Sequence, residues 1–108
     1  DRILVAVSEL VQRHIRSSDI FARWGGEEFA VLTPTNASDA STLAERLRRE
    51  IASLDAGGGM PVFASFGITQ YRWGESASEF LNRADQALYA AKRKGKNRVE
   101  CLDQSTSR

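Results

Sequence analysis

A chain of 108 residues with 42% hydrophobic and 27% charged side chains has the size and composition of one soluble domain with a modest core. Fifteen basic residues against fourteen acidic ones leave a net charge of +1, which argues against a nucleic-acid polyanion as partner and makes any anion site a local one. A single cysteine, Cys101, excludes an internal disulfide and a cysteine-based zinc cluster, and the single histidine, His14, lacks companions for a metal site. No apolar run approaches the roughly 20 residues of a membrane span, and the first residues lack the order of a signal peptide, so a cytoplasmic segment without membrane contact is expected.

In chain order, Ile3, Leu4, Val7, Leu10, Val11 and Ile15 recur at helical spacing and predict an amphipathic helix over 3–15, with His14 on or beside its packed face. Next comes a hairpin over 19–33. Ile20, Ala22 and Trp24 alternate with Phe21 and Arg23 before Gly25-Gly26, and Phe29, Val31 and Thr33 alternate with Ala30 and Leu32 after Glu27-Glu28. Two glycines between such runs favour a tight primed turn and leave the backbone open to close approach by a phosphate or base. The adjacent carboxylates suit a hard cation, although solvated turn acids would look the same. Pro34, which cannot donate a ladder hydrogen bond, ends the hairpin.

A polar link, with Ser38 or a neighbour as cap, leads to a helix through Leu43, Leu47, Ile51 and Leu54. Gly57-Gly58-Gly59 forces a loop before a strand over 62–71, in which Gly67 marks close backbone contact. Ser76 and Glu79 have capping-box spacing ahead of a helix through Leu81, Ala84, Leu88 and Ala91, which Gly95 terminates, and residues 98–101 form a last short strand. The expected fold class is α+β, two layers, with helices against a mostly antiparallel sheet.

Arg23-Trp24-Gly25-Gly26-Glu27-Glu28-Phe29 resembles the signature of the GGDEF family, the diguanylate cyclases, in its variant with Glu at the third position. Arg16-Ser17-Ser18-Asp19 is similar to that family's RxxD motif, and Ala84-Asp85-Gln86-Ala87-Leu88-Tyr89-Ala90-Ala91-Lys92 with Gly95-Lys96-Asn97 is similar to its C-terminal helix and the turn after it. The resemblance implies a palm-like, ferredoxin-like core over residues 1–101, with 102–108 as a polar tail. Asp1-Arg2-Ile3-Leu4 is similar to part of the family's Gly-Asp-x-x-Leu segment, so the resemblance also implies that a first strand and a phosphate loop precede the segment seen here. On that expectation the domain is N-terminally incomplete and this chain alone is inactive.

The implied reaction joins two GTP molecules into cyclic di-GMP and pyrophosphate between two facing domains, hence a homodimer, with two Mg2+ or Mn2+ ions per site. By resemblance Glu28 coordinates metal, and Glu27 lies near the reacting hydroxyl and assists metal binding or deprotonation. Gly25 and Gly26 make room for the nucleotide, Asp1 accepts guanine donors, and Lys92 and Lys96 contact phosphates, Lys96 standing where the family often has arginine. Arg16, Asp19 and Arg46 would form a product-binding inhibitory site, against the bland reading of an Arg16–Asp19 surface ion pair. An upstream sensory or receiver domain is expected, and the parent protein could be membrane-anchored through another domain. Two other readings remain: a non-catalytic module that binds cyclic di-GMP or GTP, and a small nucleic-acid binder suggested by Phe63, Phe66 and Tyr71. The near-neutral charge and the poor alternation of those aromatics weigh against the last.

Overall fold

Leu10 and Val11 lie on one face of the first helix, α1 (Arg2–His14), and their burial against Leu47 and Ile51 of a second helix, α2 (Ala37–Ala52), starts the core of the computed structural model. The structure describes residues 2–25, 28–54 and 61–102. Val7 and Ile15 extend the same stripe at the three- and four-residue spacing of a packed helix. At its end the His14 ring nitrogen Nδ1 lies 2.9 Å from the Leu10 carbonyl, and Nε2 lies 4.0 Å from Glu50 on α2. The histidine is half-buried, as the sequence leads one to expect.

Two strands follow, β1 (Ile20–Arg23) and β2 (Phe29–Leu32), paired antiparallel with Ile20 opposite Leu32 and Arg23 opposite Phe29. Alternation gives the hairpin two unlike faces. Phe21 packs against the α1/α2 core and stacks on Phe29 at a centroid distance of 5.2 Å. The Ile20–Leu32 pair faces the other way and is exposed.

Helix α2 begins at Asn36, whose side chain accepts the Asp39 N–H at 2.8 Å, rather than at Ser38. Asn36 is the position with extended backbone, and its oxygen reaches the N–H three residues on, as an N-cap requires. Strand β3 (Phe66–Thr69) is shorter than the predicted 62–71. Its ladder starts where the Phe66 N–H meets the Arg98 carbonyl at 2.9 Å, and residues 61–65 run up to it without pairing. The Gly57-Gly58-Gly59 loop lies outside the described residues.

Helix α3 (Ala77–Arg93) opens with the predicted capping box: Ser76 Oγ accepts the Glu79 N–H at 3.1 Å, and the Glu79 carboxylate accepts the Ser76 N–H at 2.9 Å. It closes at Gly95, which has φ +122°. The Lys96 N–H reaches back to the Ala91 carbonyl at 3.0 Å and the Gly95 N–H to the Lys92 carbonyl at 3.4 Å, the bonding of a Schellman motif. Lys96 and Asn97 continue in the left-handed region, φ 64° and 49°, and turn the chain into β4 (Val99–Leu102).

β4 pairs with β3 in parallel, Phe66 opposite Val99 and Thr69 opposite Leu102. The α+β class stands, but the described strands form two two-stranded sheets, one antiparallel and one parallel, where a single mostly antiparallel sheet was expected. The reason lies in the connection: β3 and β4 are joined through a whole helix, and a crossover of that length returns the chain in the same direction. Ile68 carries the second part of the core, against Ala37 and Ala44, and Phe66 touches both parts. No helix among the described residues is long and apolar enough to cross a membrane.

Candidate functional site

The hairpin connection, residues 24–28, is wider than the two-residue turn expected from Gly25-Gly26. The N–H groups of both Trp24 and Gly25 donate to the Glu28 carbonyl, at 2.7 and 3.1 Å, so the loop closes on Glu28. Pairing Arg23 with Phe29 leaves Trp24, Gly25 and Glu28 outside the ladder. Arg23 Nε donates to the Gly25 carbonyl at 3.3 Å, which pins the first limb of the loop. A Cβ at Gly25 would stand 3.7 Å from Glu28 Oε1, an ordinary van der Waals contact beside the carboxylate. Gly26, Glu27 and Asp1 lie outside the described residues.

Glu28 and Lys92 are brought together from opposite ends of the chain. Lys92 Nζ, on the last turn of α3, lies 3.5 Å from Glu28 Oε2, and both side chains are partly exposed. One carboxylate oxygen and one ammonium thus share a solvent-open place beside the loop. Lys96, on the turn that ends α3, is exposed and held in its left-handed conformation by the Schellman bond. Among the described residues no three His, Cys, Asp or Glu side chains cluster as a metal cage. Glu28 still fits a hard divalent cation of the magnesium type, which takes one or two carboxylates and fills its remaining positions with substrate phosphates and water.

Arg16 and Asp19 close a local turn through the backbone. The Asp19 N–H donates to the Arg16 carbonyl at 3.0 Å, and the Arg16 N–H donates to Asp19 Oδ2 at 2.8 Å. What joins the two residues is therefore the Arg16 amide, and the Arg16 side chain stays exposed. The nearby Thr33 hydroxyl, then the Arg16 amide and guanidinium, hold the Asp19 carboxyl below its ordinary range against a smaller opposing effect of burial. Asp19 Oδ1 is nonetheless buried and has no partner of hydrogen-bonding geometry. Arg46 is exposed on α2, where Arg46, Arg49, Glu50 and Ser53 line an open groove of about 490 Å³. No hydrogen bond or ion pair joins Arg46 to the Arg16–Asp19 turn among the described residues.

Two networks beside these residues escape a reading of the sequence. Arg83, buried on α3, donates to the Thr69 hydroxyl, to the Gln70 carbonyl at 3.2 Å and to Glu75, while the Gln70 side chain accepts the Ala37 N–H of α2 at 2.8 Å. Arg48 of α2 binds Glu45 at 2.5 Å and reaches Asn97 Oδ1 at 3.1 Å, and the Asn97 N–H donates to Ser65 Oγ at 3.1 Å, which fixes the turn that carries Lys96. The one local signal was an arginine at position 83 among the apolar residues of a helix.

Comparison with known proteins agrees with this geometry. The family model described as "Diguanylate cyclase, GGDEF domain" matches residues 1–98. The diguanylate cyclase DgcP of Pseudomonas aeruginosa is 39% identical over 104 residues, which are 93% of this chain and 16% of that protein. The active GGEEF domain of a diguanylate cyclase from Vibrio cholerae superposes with a TM-score of 0.84 at 32% identity, over 94% of this chain and 67% of that one. The coiled coil and GGDEF domain of DgcB from Caulobacter crescentus, solved with c-di-GMP, gives 0.83 at 32% identity, over 94% and 56%. The chain belongs to the GGDEF domain family. It spans about a sixth to a quarter of the length of the first curated relatives it matches, 16% of DgcP and 24% of DgcM of Escherichia coli.

Proposed function

We propose that this chain is the catalytic domain of a diguanylate cyclase. Two domains, each holding one GTP, face each other; the 3′-oxygen of each nucleotide attacks the α-phosphorus of the other, pyrophosphate leaves, and cyclic di-GMP is formed. The observation that carries this reading is the meeting of Glu28, from the loop after two glycines, with Lys92 of α3 at 3.5 Å. A carboxylate suited to a cation and an ammonium suited to a phosphate stand side by side. Bound Mg2+ or Mn2+, two per site, would supply a Lewis acid that offsets phosphate charge and eases deprotonation of the hydroxyl.

Within that reading Glu28 holds the cation and Glu27 assists it or the departing proton. Gly25 and Gly26 keep side chains away from the nucleotide, Lys92 and Lys96 hold phosphate oxygens, and Asp1 accepts the guanine N–H donors. Residues 1–101 belong to the catalytic domain, with 102–108 as a polar tail. The domain works in the cytoplasm as a homodimer, within a longer protein whose further domains sense the input.

A second role is proposed for the Arg16–Asp19 turn as a product site completed by Arg46. The Asp19 carboxylate favours it, because its Oδ1 has no partner of hydrogen-bonding geometry and a carboxylate is an acceptor suited to guanine N–H donors. The same atom supports the alternative that the chain binds cyclic di-GMP without turning over GTP.

Chromatography of GTP incubated with magnesium and the full-length protein that contains this chain separates these readings. Turnover that Glu28→Ala lowers by at least about a hundredfold, with cyclic di-GMP binding unchanged, supports the cyclase. Undiminished turnover in Glu28→Ala rejects the role of that residue, and product binding without any turnover selects the binding module. Arg16→Ala is expected to relieve product inhibition and leave the initial rate intact; inhibition equal to that of the parent rejects the product site.

A further inference from the structure

The basic run Lys92-Arg93-Lys94 looks like a solvated cluster in sequence, but each of its heads has a different partner. Lys94 Nζ pairs with Glu100 at 3.1 Å, and the Arg93 guanidinium lies 5.7 Å from the centroid of the Tyr89 ring. Both contacts stay close to α3 and the strand that follows it. Lys92 instead crosses to the hairpin loop and meets Glu28, 64 positions away in sequence, with 46% of its side chain and 40% of the glutamate's exposed.

In the function proposed above these two groups serve opposite ligands, and in the ligand-free protein they serve each other. A carboxylate engaged by an ammonium is a poorer ligand for a cation, and an ammonium neutralised by a carboxylate attracts a phosphate less strongly. We propose that the Glu28–Lys92 pair is an exchangeable counter-ion pair: a divalent cation displaces the ammonium from Glu28, and the released Lys92 takes a phosphate of the nucleotide. No covalent bond changes; the charges are paired anew. Either ligand removes the competitor from the other's residue, so each tightens the other by the same factor. This inference rests on Glu28 being the cation ligand. The exposure of the pair keeps the effect modest, about two- to fivefold in affinity.

The experiment is a Mn2+ titration of the protein without nucleotide, with free Mn2+ read by electron paramagnetic resonance. Lys92→Met is expected to bind Mn2+ about two- to fivefold more tightly than the parent. Lys94→Met removes an equal charge two positions on, paired with Glu100, and is expected to leave the affinity unchanged. In the reverse direction, Glu28→Gln without metal is expected to bind inorganic tripolyphosphate more tightly than the parent by a similar factor. Mn2+ binding lost in Glu28→Gln but not tightened in Lys92→Met overturns the exchange and leaves Glu28 as the cation ligand. Undiminished Mn2+ binding in Glu28→Gln overturns that assignment, and the exchange with it. Both side chains are solvent-accessible, and Lys92→Gln gives the same readout should Lys92→Met not fold.

Discussion

Arg83 is the buried charged side chain among the described residues, and its partners explain how it is tolerated there. Its guanidinium spends three of its five N–H donors on the Thr69 hydroxyl, the Gln70 carbonyl and the Glu75 carboxylate, so the buried charge is both hydrogen-bonded and paired. The Arg83 bond and then the Arg72 amide, which donates to Glu75 at 2.6 Å, hold the Glu75 carboxyl below its ordinary value of 4.5, against an opposing effect of burial. A carboxyl depressed in the folded state binds fewer protons there than in the unfolded chain. Its contribution is therefore complete above the unfolded value and is lost as the pH falls through the folded one. Glu75→Gln is expected to have a lower urea midpoint than the parent at pH 7, with the gap narrowing at about pH 3.5. Since Asp19, Glu45 and Glu100 titrate in both proteins, the difference between them isolates Glu75. A gap of equal size at both pH values would show that the glutamate acts through packing alone.

At the scale of elements, the position of α3 over β3 is set by the absence of a side chain. A Cβ on Gly67 would stand 2.2 Å from the Leu88 nitrogen and 2.7 Å from the Ala84 carbonyl oxygen, both helix backbone, which cannot swing away as a flexible side chain would. Ala87 and Ala91, 1% and 0% exposed, give the helix the small face that this approach needs. Gly67→Ala is expected to cost about 3 kcal/mol or more, the upper part of the overpacking range, and to lower Tm by roughly 10–20 °C. Thermal unfolding followed by circular dichroism measures it, and a shift under about 3 °C would mean that the helix stands off the strand. Because α3 carries Lys92, loss of this contact also moves one half of the Glu28–Lys92 pair.

Much of this element was readable in advance: Ser76 with Glu79, the glycine at 67 and the stop at Gly95 are local signals, each with a local physical cause. The sheet was less readable. A run rich in aromatic and apolar residues made 62–71 look like one strand, yet a ladder needs a partner, and β4 meets only residues 66–69. The site divides in the same way. Glu28 and Lys92 each stand in a recognisable motif, but that they touch depends on how the hairpin and α3 pack, which no local pattern encodes. Glu75 carries no local signal of its own, because Arg83, its partner, belongs to the following helix.

For the whole molecule the proposed chemistry makes one domain insufficient. Each domain would hold one nucleotide, and each nucleotide is attacked by the other, so both ring-closing bonds need a competent partner across the interface. A residue that acts within its own half-site then poisons every pair it enters. Glu28→Gln is suited to this experiment because its side chain is partly exposed, its hairpin is closed by backbone bonds to the Glu28 carbonyl, and the substitution keeps the shape of the side chain. Mixed in equal amounts with the parent at constant total protein, and allowed to exchange, the variant leaves about one pair in four with two intact halves, if the partners associate at random in a two-fold dimer. Cyclic di-GMP production is then expected to fall to about a quarter of the undiluted rate, whereas domains that each complete the reaction alone would retain about a half. Enzyme concentrations well above the dissociation constant of the dimer keep dilution of the parent from imitating the loss. A result of one half would remove the facing-domain arrangement, and an inhibitory product site would then have to act inside a single domain.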